Sequence, residues 1–201
     1  MRGLAVLLLS ALAACGQPSA SEPAPTAQSS EAAAAPAVPA EPAQASEASQ
    51  QAAPAIALDG EGLRLVDSKG SARLLAFGSD RAMAEALLPE TAERSTIEEC
   101  GAGPMQFVKH GGLTLNMQDG KFVGWYLEDA SKLTTMDGIG LGTRRSEIEK
   151  SRALEMLEDS TLGDEFALGT LEDAEIFGFL DGRGANAKVT ALYAGLNCFF
   201  R

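Results

Sequence analysis

Between Gly16 and Pro54 the chain carries no aromatic residue, no lysine and no arginine, and consists almost wholly of Ala, Pro, Ser, Gln and Glu. Such a stretch cannot bury enough apolar surface to offset the entropy of ordering it. Prolines such as Pro18, Pro23, Pro25, Pro36, Pro39 and Pro42 recur through it and bias the backbone toward extended polyproline geometry. The segment therefore reads as a solvated, disordered linker. It would span roughly 35 Å as a flexible coil and on the order of 120 Å if stretched. Folding is confined to about residues 56–201, which is enough chain for one core.

Ahead of the linker, Met1-Arg2-Gly3 is a short basic start and Leu4 to Ala13 is apolar, the pattern of a signal peptide over residues 1–14. A transmembrane helix needs about 20 apolar residues, and Cys15 opens the polar stretch too early for one. The run closes with Leu12-Ala13-Ala14-Cys15-Gly16, which resembles the bacterial lipobox. The resemblance implies cleavage before Cys15 and acylation of its thiol, so that the mature chain, from 15 onward, is held to a membrane through lipid. Two or three acyl chains at about 0.8 kcal/mol per buried methylene make such an anchor effectively permanent. Gly16 is not aspartate, which by the same resemblance favours the outer membrane, with the domain in the periplasm.

Charge narrows the partners. The whole chain carries a formal net charge of −12, and from Ile56 onward 24 acidic residues face 15 basic ones. Nucleic-acid binding needs a basic stripe that is missing here. The expected partners are the membrane, through the lipid, and an envelope protein or cell-wall component.

A repeat organises the remainder. Phe77-Gly78-Ser79-Asp80-Arg81 lines up with Leu141-Gly142-Thr143-Arg144-Arg145 at an offset of 64 residues. In each, an apolar residue and a glycine precede a Ser or Thr able to cap a helix. Extended structure comes after both. Leu113, Leu115 and Met117 alternate with polar residues, Asp119-Gly120 turns, and Lys121 to Leu127 continues, a hairpin pattern. Candidate strands also cover Glu165 to Leu168, Ala174 to Leu180 and Ala187 to Ala194, and another hairpin surrounds Ser68-Lys69-Gly70. The expected fold is α+β, with two helix-plus-antiparallel-meander units, about 63–130 and 131–201, packed in one domain. With its two glycine-led helix starts, this arrangement resembles the tandem modules of the β-lactamase inhibitor protein fold and of BamE-like lipoproteins. That resemblance implies protein binding rather than catalysis.

Chemistry-bearing residues are sparse. Cys100 and Cys198 lie in the exported part, where an even pair of cysteines normally closes, so a Cys100–Cys198 disulfide is expected, stabilising by about 2–5 kcal/mol. A catalytic Cys100 would need a base, and His110 is the sole histidine. Gly138-Ile139-Gly140-Leu141-Gly142 has neither the spacing nor the preceding parallel strand of a dinucleotide loop, which leaves a dehydrogenase unsupported. The acidic pairs Glu128-Asp129, Glu158-Asp159, Asp164-Glu165 and Glu172-Asp173 lack calcium-loop spacing and read as a solvated face. No catalytic residue, metal site or cofactor is expected. Trp125 and Tyr126, on opposite faces of one strand, form the candidate binding surface, one of them core and the other contact. The alternative function is an envelope hydrolase or small-ligand-binding protein using acidic side chains.

Overall fold

The computed structural model describes residues 54–199. The expected signal peptide, Cys15 and the expected linker as far as residue 53 lie outside them. Three strands, β1 (Ala55–Asp59), β2 (Gly62–Val66) and β3 (Ala72–Ala76), form an antiparallel meander. After the single-turn helix α1 (Arg81–Glu85) come β4 (Glu93–Ile97), β5 (Met105–His110), β6 (Leu113–Gln118) and β7 (Lys121–Leu127). After a second single turn, α2 (Arg145–Ile148), come β8 (Leu154–Met156), β9 (Asp164–Leu168), β10 (Ile176–Leu180) and β11 (Val189–Gly195). These last eight strands make one antiparallel sheet in the order β4-β5-β6-β7-β11-β10-β9-β8. The two four-strand meanders meet where β7 pairs with β11, with Tyr126 opposite Tyr193 and Trp125 opposite Ala194.

The expectation of an α+β fold with two helical units is overturned, because among the described residues the protein is eleven strands and two single turns of helix. The physical reason is local. After Arg81, helix-forming residues run only to Leu88, where Pro89 offers no N–H and stops the helix, and the amides of Leu87 and Leu88 already bond to residues three back. In the second unit, Ile148 is the only apolar residue between Arg145 and Arg152, so a single turn has something to bury and a longer helix does not.

The capping expectation also changes. Asp80 and Arg144 hold the N-cap positions. Thr143 Oγ1 instead accepts from the Gly140 amide at 3.1 Å, while the Glu147 carboxylate accepts from the Arg144 amide at 3.0 Å. That second bond holds the Glu147 carboxyl below its ordinary pKa.

The entries to the two short helices are nonetheless built alike. The Gly78 amide donates to Phe122 O at 2.7 Å and the Phe122 amide donates to Ser79 O at 2.9 Å; Gly142 and Thr143 make the same pair of bonds with Val189, at 2.8 and 3.0 Å. The amides of Arg81 and Arg145 donate to Gly120 O and Ala187 O at 2.9 and 2.8 Å. Each arginine then ion-pairs with the glutamate four residues on, Glu85 and Glu149. Both helix entries are thus clipped to the start of the last strand of their own meander.

The core lies against the inner face of the large sheet. Leu113, Leu115, Met117, Phe122, Trp125 and Leu127 from one meander join Phe166, Leu168, Ile176, Leu180 and Leu192 from the other. Leu58, Leu63, Leu65 and Leu75 of the small sheet belong to the same cluster, as do Ala84 of α1 and Ile148 of α2. Among the described residues no helix is long and apolar enough to cross a membrane.

Candidate binding face

Alternation along β7 decides which side chains reach the other face. Phe122, Trp125 and Leu127 point into the core, and Gly124 and Tyr126 point out. Trp125 is 0% exposed, and its Nε1–H donates to Asp59 O at 2.9 Å. It is a core residue, which removes it from the candidate binding surface and leaves that part to Tyr126. Strand alternation separates the two faces; the small sheet that covers one of them decides which aromatic is buried.

Around Tyr126 the outer face carries a row of rings that the sequence reading does not single out. Phe177, Tyr193 and Tyr126 stand on the neighbouring strands β10, β11 and β7, with Tyr193 stacked at 5.6 Å from Phe177 and 6.5 Å from Tyr126. Phe179 stacks on Tyr193 at 5.8 Å. Their signal lies in the alternation of Phe177 and Phe179 with Ile176, Gly178 and Leu180.

Tyr193 also donates its hydroxyl to Glu165, a carboxylate with 0% exposure that receives the Ser160 hydroxyl as well. An acid buried in this way is stabilised by donors aimed at it.

The chain then covers part of its own face. Gly195, at φ 67°, turns the backbone off the end of β11. The Leu196 amide donates to Val123 O at 2.8 Å, and Asn116 Nδ2 donates to Leu196 O at 2.8 Å and to Asn197 Oδ1 at 2.7 Å. Cys198 stands at disulfide distance from Cys100, their Cα atoms 5.6 Å apart. Phe199 sets its ring edge-on at 4.8 Å from Tyr193, 6.0 Å from Tyr126 and 6.1 Å from Phe179.

Two depressions border this crossing. One, of about 340 Å³, is floored by Phe107, Thr114, Asn116 and Tyr126 and walled by Ile97 and by Asn197 and Cys198. The other, of about 530 Å³, lies between Tyr126, Phe179 and Phe199 on one side and Glu128, Asp129 and Asp164 on the other.

Four of the acidic residues, Glu128, Asp129, Glu158 and Asp164, are held by cations. Lys109 Nζ lies 2.7 Å from Glu128 and 3.1 Å from Asp129, and these hydrogen bonds raise its pKa. Arg183 bridges Glu158 and Asp164, each at 2.8 Å. Burial, aided by Glu128, raises the Tyr126 phenol. His110 is exposed at the end of β5, one residue before the Gly111-Gly112 turn. Gly138 to Gly142 form a closed loop in which the Thr135 amide donates to Ile139 O at 2.8 Å, with Ile139 buried. Among the described residues no group of three or more His, Cys, Asp or Glu is placed to hold a metal ion. No protein-family model, curated protein or solved structure matches this chain.

Proposed function

We propose that this is a lipid-anchored envelope protein whose domain binds another envelope component through the outer face of its eight-stranded sheet, without chemistry of its own. The observation that carries this reading is the row of rings on that face, of which Tyr126, Phe177 and Phe179 stay partly exposed, flanked by a depression on each side. Aromatic side chains on an open sheet supply contact area at low entropic cost, as binding surfaces require. The lipobox reading of Cys15 and the long linker support the location, since a tether of that reach lets such a face search for a partner away from the bilayer.

A photo-crosslinking residue at Thr114, which lines the outer face, tests the reading in intact cells, with Met83 on α1 as an exposed control. The expected outcome is a discrete adduct from position 114 and none from position 83. Identical patterns from both positions, or none from 114, would refute binding at this face. Cys15→Ala should in parallel abolish incorporation of labelled fatty acid.

A further inference from the structure

The segment Leu196–Phe199 occupies the outer face as a ligand would. Gly124, in the middle of β7, has no room for a side chain: a Cβ there would stand 2.2 Å from Leu196 O. A glycine inside a strand at such a place marks close approach by another backbone. Asn116, 1% exposed, aims its amide nitrogen at two carbonyl oxygens of the segment, Leu196 O and Asn197 Oδ1. The three rings of Tyr126, Tyr193 and Phe179 receive the ring of Phe199. A main-chain approach, an amide donor and an aromatic seat together are the recognition elements of a peptide groove. The same segment supplies walls to both depressions, through Asn197 and Cys198 in one and Phe199 in the other.

The fit has one defect. Because both partners of the Asn116 amide nitrogen are acceptors, its Oδ1 is fixed on the other side, buried and without a donor among the described residues. A buried acceptor left in this way is unfavourable, and an occupant offering an N–H there would remove the mismatch.

We infer that Leu196–Phe199 is an internal occupant of a groove that binds an extended peptide segment carrying an aromatic side chain, and that the Cys100–Cys198 pair keeps it in place. The inference rests on the outer face being the binding face and adds the class of partner and the control of access. Opening is a two-electron exchange with a dithiol: the Cys100–Cys198 bond breaks, each sulfur gains one electron and one proton, and the dithiol becomes a disulfide. With the covalent closure gone, the segment is held by the Leu196 and Asn116 hydrogen bonds and one ring, and a competing peptide can replace it.

Hydrogen exchange on the full chain tests the latch without any partner. Reduction with a dithiol, or Cys100→Ser, should speed exchange of the Leu196 amide by about ten-fold or more while β6 and β7 amides keep their rates. Gly124→Ala, which leaves both cysteines in place and drives a methyl into Leu196 O, should do the same. Unchanged exchange at Leu196 in all three, or equal acceleration throughout β6 and β7, overturns the latch. The probe for the groove is the synthetic peptide Gly-Leu-Asn-Ser-Phe, which copies the segment with serine for cysteine. It should bind the Cys100→Ser chain and not the oxidised parent, and replacing its phenylalanine by alanine should weaken binding by about ten-fold, the scale of one buried aromatic contact. No binding, or equal binding to both chains, overturns the peptide groove. Because the exchange readout involves no envelope component, a free latch with no crosslink from position 114 would separate failure of the proposed function from failure of this inference.

Discussion

The two faces of the eight-stranded sheet start from the same alternation and end in different states. The inner face meets the small sheet and both helices, so Trp125, Phe122 and Phe166 are fully buried. The outer face has lighter cover, from the Leu196–Phe199 segment and from the loop of Ser160, Leu162 and Gly163, so Tyr126, Phe177 and Phe179 stay partly open. The difference shows that a strand's pattern sorts its side chains into two sets, while the cover laid over each set decides whether it becomes core or contact surface.

The sharpest way to break this comparison uses adjacent residues. Trp125→Ala should lower unfolding stability by about 3–5 kcal/mol through the cavity it leaves, measured by denaturant titration. Tyr126→Ala should lower it by about 1 kcal/mol or less. Similar losses at the two positions would erase the distinction between faces.

A smaller effect is expected at Tyr193, whose ring belongs to the outer row but whose hydroxyl serves a buried carboxylate. Tyr193→Phe takes one donor from Glu165 and should destabilise by about 1–3 kcal/mol in the same titration. A neutral result would mean that the remaining donors to Glu165 are sufficient.

The smallest effect belongs to Lys109 on the outer face. Its pKa is raised by Glu128 and Asp129, so the stabilisation from these pairs is full below the pKa of an unfolded lysine and lost as pH rises through the higher folded value. Because the pair is substantially exposed, Lys109→Met should cost at most about 1 kcal/mol at neutral pH. Thermal melts of parent and variant should converge only in strongly alkaline solution, and a gap that persists there would assign the loss to packing instead of charge.

Elements with a short-range signature are legible in the chain itself. The β6–β7 hairpin is one, with Asp119 and Gly120 both at positive φ in the turn, and β9, β10 and β11 are others. The strands β1, β4, β5 and β8 are not. In β4, Glu93-Arg94-Ser95-Thr96 is exposed throughout and shows no apolar alternation, because an edge strand with little cover has no face to mark. The longer helices expected after Ser79 and Thr143 fail for other reasons: Pro89 stops the first, and after Thr143 too few apolar positions come to extend the second. At the candidate face, Tyr126 is recognisable as one of an in–out pair with Trp125, whereas Phe177, Phe179 and Tyr193 gain meaning only once β10 and β11 stand beside β7.

Sequence alone determined the local hairpins and the pairing of Cys100 with Cys198. Tertiary structure decided the joining of the two meanders through β7 and β11, the burial of Trp125, and the passage of Leu196–Phe199 over Asn116 and Gly124. Periodicity and turn chemistry act between neighbours along the chain, while those outcomes depend on contacts between residues far apart in it, such as Asn116 with Asn197, 81 positions away, which no local pattern encodes.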